Sequence, residues 1–189
     1  MLVVPSISAE EAASFGVPLA LSFRSYRPED HAAVVDIFVA GMSMYCPEDE
    51  EGAAGNRAYI QWSLRTDMAD IQGTYFDSGG HFWVLTNLSE GREEIIGTIA
   101  LHGKQDGRGE LRRLSVKREY RRHKLASKLV AHLEDWARNH GFTTVELNTG
   151  VVMGPACKLY PALGYTETGR RMASDDSDYE LVFFEKALV

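Results

Sequence analysis

The stretch Glu110-Leu-Arg-Arg-Leu-Ser-Val-Lys-Arg-Glu-Tyr120-Arg-Arg-His-Lys-Leu-Ala-Ser-Lys-Leu-Val130 decides how this chain folds. Glu110 to Val116 reads as a strand, the residues after it as a basic turn, and Arg122 to His140 as the most regular helix in the sequence. In that helix Leu125, Leu129, Leu133 and Trp136-Ala137 form one apolar stripe, with Ala126 and Val130 beside it. His140 and Gly141 supply the residue types that end helices. Phe142 to Leu147 then returns as a strand, with Val145 and Leu147 on one face. A strand, a helix and a strand joined at this length make a crossover, so the two strands should run parallel.

Two details of the stretch bear on function. Leu111 has the opposite parity to Leu114 and Val116. Either Leu111 faces another layer, or an extra residue near Arg112-Arg113 forms a β-bulge that puts all three on one face. A bulge would also leave backbone groups free for a ligand. Second, a helix start has backbone N–H groups with no partner in the helix and carries partial positive charge. Arg121, Arg122 and Lys124 add full charges there, so the turn predicts an anion site suited to phosphate. A merely solvated basic face is the plainer alternative.

Working outward, Leu19 to Tyr26 alternates as a first strand, and Pro28-Glu29-Asp30 opens a helix carrying Val34, Ile37 and Phe38. Glu48 to Gly55 reads as a polar loop, and Asn56 to Ile71 as a second helix closed off by Gly73 and Gly79-Gly80. His81 to Leu88, Glu94 to His102 and Glu110 to Val116 form a predicted antiparallel meander, turning around Ser89-Glu90-Gly91. After the crossover, Gly154-Pro155 opens a short helix through Leu163, and Tyr165 to Gly169 and Tyr179 to Leu188 close as strands. The expected class is α/β: a mixed, mostly antiparallel sheet with a central strand–helix–strand crossover and helices on both faces. Residues 1–18 read as an N-terminal arm and 19–189 as a single domain.

With 189 residues, 44% of them apolar and a quarter charged, the chain is long enough for one hydrophobic core. Cys46 and Cys157 are too few for a disulfide framework and lack metal-ligand spacing. The first residues lack the pattern of a signal peptide, and no run of about 20 apolar residues offers a membrane span, so a cytoplasmic location is expected. A net charge of −7 opposes general nucleic-acid affinity, which makes the basic island between Arg108 and Lys128 a local feature.

Tyr120-Arg-Arg-His-Lys-Leu-Ala126 resembles the pyrophosphate signature Arg/Gln-x-x-Gly-x-Gly/Ala of the GNAT superfamily of N-acetyltransferases. Ala156-Cys-Lys-Leu-Tyr160-Pro-Ala-Leu-Gly-Tyr165 is similar to its downstream block. Thr66-Asp-Met-Ala-Asp-Ile71, Gly80-His-Phe-Trp-Val84 and Leu111-Arg-Arg-Leu-Ser-Val116 further resemble the camello-type members, which usually carry a membrane segment not visible here. Lys124 stands where the signature has glycine, and Met153 where many relatives have asparagine.

The resemblance implies direct attack of a primary amine on acetyl-CoA, used as a cosubstrate, with no metal. It implies a role for Tyr160 as proton donor to the departing sulfur and for Glu110 as proton acceptor, with Glu146 the second candidate. A packed aromatic and a strand carboxylate paired with arginine are the plainer readings of Tyr160 and Glu110. Leu114, Ser115 and Val116 would meet the pantetheine arm. Arg121, Arg122, His123, Lys124, Leu125, Ala126 and Ser127 would hold the pyrophosphate, with Asn148 in place of the missing asparagine. His81 and His102 read as structural, and Cys157 lacks the His/Asp partner a nucleophilic thiol needs. Expected partners are acetyl-CoA and an amine acceptor, without nucleic acid or membrane; a homodimer is compatible. Rival readings are a CoA-binding module of the same fold without chemistry, and a nucleic-acid binder using the basic island.

Overall fold

The computed structural model describes residues 20–46, 50–89, 91–174 and 179–188. The predicted arm 1–18, Leu19, loop residues Glu48 and Asp49, and Glu90 of the predicted turn lie outside them. Seven strands form one sheet: β1 (Ala20–Ser25), β2 (His81–Ser89), β3 (Arg92–Gly103), β4 (Arg108–Val116), β5 (Thr144–Gly150), β6 (Thr166–Met172) and β7 (Glu180–Ala187). Their order is β1-β2-β3-β4-β5-β7-β6. Every neighbouring pair is antiparallel except β4 and β5, which the crossover helix α3 (Leu125–Asn139) joins in parallel. The mixed, mostly antiparallel sheet of the sequence reading is thus the observed one.

Helices cover both faces. Helix α3 lays Leu125, Leu129, Leu133 and Ala137 on a core that includes Leu101, Leu111, Val145, Leu147 and Phe184. On the opposite face α1 (His31–Ser43) and α2 (Glu50–Arg65) pack over Phe82, Val84 and Ala100 through Val34, Ile37, Phe38 and Ile60. The short helix α4 (Gly154–Ala162) carries Tyr160 into the first core and keeps Pro161 within its last turn.

Three boundaries differ from the sequence reading. Helix α2 begins at Glu50, so Glu50 to Gly55 is helical and not loop; acidic residues followed by Ala53-Ala54 suit a helix start. The same helix stops at Arg65, where the Thr66 hydroxyl bonds back to the Trp62 carbonyl at 2.9 Å and Asp67 turns inward. A π-helical turn, Gln72–Phe76, follows, and Gly73 lies inside it, donating its amide to the Asp70 carboxylate at 2.8 Å. Finally, α3 starts at Leu125 and not at Arg122, because Arg122 and Lys124 both take left-handed backbone conformations, φ 69° and 57°.

The bulge is present. Thr98 pairs with Ser115 and Ala100 with Arg112, which leaves one residue too many on β4. Arg113 takes a left-handed φ of 56°, and Leu111, Leu114 and Val116 all pack on the α3 side.

Candidate active site

Strands β4 and β5 share three rungs: Arg108 with Thr144, Gly109 with Val145 and Glu110 with Glu146. Beyond Glu110, β4 continues along β3 to Val116, while β5 continues along β7 to Gly150. Among the described residues no further rung joins them, so the sheet opens as a fork. The bulge sits on the open arm of β4. There the Arg113 carbonyl accepts the Thr98 hydroxyl at 2.7 Å, and the Arg113 side chain turns under α2. Asp67 receives that guanidinium (Nε to Oδ2, 2.7 Å) together with the Tyr75 hydroxyl at 2.5 Å. Phe38 lies 4.6 Å from the guanidinium carbon. Burial works against the Asp67 charge, but Arg113 outweighs it and holds the carboxyl below its ordinary range.

At the base of the fork a cavity of about 230 Å³ is lined by Lys104, Glu110, Glu146, Asn148, Arg171 and Phe183, together with Leu147. The two carboxylates face each other as register partners, and the Lys104 ammonium lies 3.0 Å from Glu110 and 2.7 Å from Glu146. Glu146 also accepts Arg108, at 3.0 Å from Nε and 2.5 Å from the terminal nitrogen. Burial would raise its pKa, but the bonds from Lys104 and Arg108 prevail and lower it. Asn148 is exposed on the same wall of this cavity, two residues beyond Glu146. Residue His102, read as structural, stands across from Glu110 on β3 with its Nδ1 buried and unpartnered. His81 is packed between Phe76, Trp83 and Trp136 and bonds the Ser25 hydroxyl, which is a structural setting.

Tyr160 lies on the other face of the sheet, buried between Tyr165 and Phe184 with ring centroids 5.6 and 5.7 Å away. Burial raises its pKa, so it remains a phenol with a proton to give. Glu110 and Tyr160 are therefore on opposite sides of the sheet. Cys157 stands one helical turn before Tyr160, its thiol within 3.6 Å of the Gly150 carbonyl, and burial raises its pKa as well. That disfavours a thiolate nucleophile.

The basic turn follows the open end of β4. Lys117 pairs with Glu94 at 2.6 Å, and Arg121 turns back to the Val116 carbonyl at 2.9 Å. Arg122 and Lys124 are exposed, whereas the Leu125 side chain is buried, so Leu125 can offer a ligand only its amide. Among the described residues no side chain caps α3 at Lys124, and the amide of Lys128 reaches the Lys124 carbonyl at 3.1 Å. The amides of Leu125, Ala126 and Ser127 have no backbone partner among the described residues, as at any helix start, and such an arrangement suits an anion. Left-handed residues at Arg122 and Lys124 curl the turn around this end. Ser115 reaches towards α1 instead, where a side chain on Gly41 would come within 3.0 Å of its hydroxyl. A second cavity of about 240 Å³ runs from there to Arg121 between α1 and the turn.

A seven-stranded sheet forked at a parallel pair, with a basic helix start beside its open side, is the frame in which this site lies. The chain belongs to the acetyltransferase (GNAT) family, whose pattern it matches over residues 46–165. It is 29% identical over 196 aligned positions to N-acetyltransferase 8F1 of Rattus norvegicus, covering 78% of this chain and 87% of that one. N-acetyltransferase 8 of the same species is 38% identical over 117 positions, covering 59% and 51% respectively. The chain thus spans about half the length of several of its curated relatives. These are camello-type proteins, in keeping with the motifs at Thr66, Gly80 and Leu111. A GNAT-family acetyltransferase structure from Staphylococcus aureus Mu50 superimposes with a TM-score of 0.70 at 19% identity, over 90% of this chain and all of that one. Among the described residues no helix is long and apolar enough to cross a membrane, and no cluster of His, Cys, Asp and Glu could hold a metal ion.

Proposed function

We propose that this chain transfers the acetyl group of acetyl-CoA to a primary amine, of a small molecule, an amino-acid conjugate or a lysine side chain, by direct attack. The observation that carries the reading is the fork that opens beyond Glu110 and Glu146, with the uncapped start of α3 at its open side. The pyrophosphate of the cosubstrate would rest on the amides of Leu125 to Ser127, with Arg122 and Lys124 beside it. The amide-bearing pantetheine arm would lie along Leu114 to Val116, whose outer edge lacks a strand partner among the described residues.

The amine loses a proton to Glu110, its nitrogen forms the C–N bond at the thioester carbon, and the C–S bond breaks. The departing thiolate takes the Tyr160 proton. Glu110 is taken as the acceptor in preference to Glu146, because among the described residues it has one ionic contact where Glu146 is fastened by both Lys104 and Arg108. Free thiols at Cys46 and Cys157 accord with action in a reducing compartment such as the cytoplasm.

The test is thiol release from acetyl-CoA with a panel of amino acids, cysteine S-conjugates, polyamines and lysine peptides. We expect sustained release with at least one acceptor and a loss of about a hundredfold or more in Glu110→Gln, the scale of a general base. Tight CoA binding without turnover on any acceptor would instead support a non-catalytic module of this fold.

A further inference from the structure

Helix α4 has little of its own to hold it in place. It is nine residues long, opens on Pro155 and keeps Pro161 in its last turn, where there is no amide to give the Cys157 carbonyl. A helix so short and so interrupted takes its orientation from what it is fastened to. Tyr160 stands directly before that proline, and its carbonyl accepts the amides of Leu163 and Tyr165, each at 3.0 Å. Tyr160 and the exit of the helix are therefore one hydrogen-bonded unit.

A side chain from β7 grips this unit at three successive residues. The Lys186 ammonium donates to the Leu163 carbonyl at 2.8 Å. Its stem passes Gly164, which ends the helix with a left-handed φ of 86° and whose added side chain would meet Lys186 Cε at 3.7 Å. The same ammonium lies 5.4 Å from the centre of the Tyr165 ring, which packs T-shaped against Tyr160. Lys186 is itself held. Glu134, 5% exposed on α3, accepts the ammonium at 2.7 Å, and Arg138 reaches the same carboxylate oxygen at 3.5 Å. A buried ion pair loses much of its attraction to desolvation, so stability alone is a weak reason for one. This pair joins the helix whose start faces the proposed pyrophosphate site to the helix that carries the proposed proton donor.

We propose that Lys186 is a positioning residue of the transfer site: it ties the end of α4 to α3 and so fixes where the Tyr160 phenol stands. The inference rests on the reading of Tyr160 as proton donor to the departing sulfur. Lys186 acts through Leu163 and Tyr165, without meeting either substrate.

The test starts from Lys186→Met, which keeps the stem and removes the ammonium. Amide exchange at Leu163 and Tyr165 should quicken by about tenfold or more, while Leu133 and Ala137 inside α3 keep their rates. With the best acceptor of the panel, kcat should fall by about tenfold or more, part of what a general acid contributes, and CoA binding should stay within about threefold. In a Tyr160→Phe background the same substitution should lower kcat no further, because a residue acting through that hydroxyl has nothing left to position. Lys186→Arg, a charged donor for both oxygens, should recover most of the rate. Unmoved exchange at Leu163 and Tyr165 would overturn the proposal, as would an equal loss of kcat with and without the Tyr160 hydroxyl. A matching loss of CoA binding would mark a general loosening and overturn it too. If Lys186→Met does not fold with Glu134 stranded, Lys186→Met together with Glu134→Leu removes both charges and is read in the same way. Undiminished kcat in Tyr160→Phe would sink the proton-donor reading alone, and the exchange rates would still decide whether Lys186 holds the helix end.

Discussion

At Lys124 the backbone is left-handed, with φ 57°, where the family signature has glycine. A side chain in that conformation costs on the order of 1–2 kcal/mol, so glycine's advantage is conformational, while lysine adds a cation at the proposed anion site. The two contributions separate by substitution. Lys124→Gly should be more stable to urea than Lys124→Ala by about 1 kcal/mol, since alanine keeps the strain and glycine relieves it. Both should weaken CoA binding to a similar degree, as both lose the charge. Equal urea midpoints for the two variants would show that the turn relaxes away from this geometry. The left-handed residues also explain why α3 starts at Leu125 and not at Arg122. The apolar stripe of α3 is legible in the sequence, but nothing in Arg122-His123-Lys124 announces positive φ, which basic residues seldom adopt.

Among the elements, β4 was the most legible, because the parity break between Leu111 and Leu114 is a direct trace of its bulge. What the sequence did not give away is where the expelled arginine goes. Asp67 lies 46 residues before Arg113, in a segment that reads as helix, and only the fold brings them together. Both side chains are about 5% exposed, so removing one charge strands the other. Asp67→Asn should destabilise the protein by about 3 kcal/mol or more, seen as a large fall in thermal midpoint. Arg113→Met together with Asp67→Asn should recover part of that loss. The Asp67 carboxyl titrates below its unfolded value, so its contribution is complete above about pH 4 and is lost as pH falls through the folded pKa. The fork was legible for a similar reason as the bulge: one helix between two strands requires a parallel pair. The unequal holding of Glu110 and Glu146 was not, since Lys104 and Arg108 belong to a hairpin whose turn the sequence leaves unspecified.

Across the whole molecule, the layer between α3 and strands β1 and β2 is rich in histidine and tryptophan. His132 stacks on Phe23 at 4.9 Å, Trp136 on His140 at 3.7 Å, and His81 lies 5.2 Å from Trp136. Burial, reinforced by His140 and His132, pushes the His81 pKa down to about 4. An unfolded histidine titrates near 6.5, so the unfolded chain binds more protons between those values. Stability is therefore complete above about pH 6.5 and declines as pH falls towards 4. The thermal midpoint should drop between pH 7 and pH 5, and His81→Gln should flatten that drop. An equal slope in both proteins would assign the acid sensitivity to other groups.

The three rungs between β4 and β5 have a mechanical consequence. Four strands lie on one side of that seam and three on the other, so the sheet is two leaves on a short hinge, with α3 as the strap between them. A guest with its own amides, lying in the notch, would stitch the leaves together. Deuterium uptake along the free edges of β4 and β5 should then slow once CoA is added, while the outer strands keep their rates.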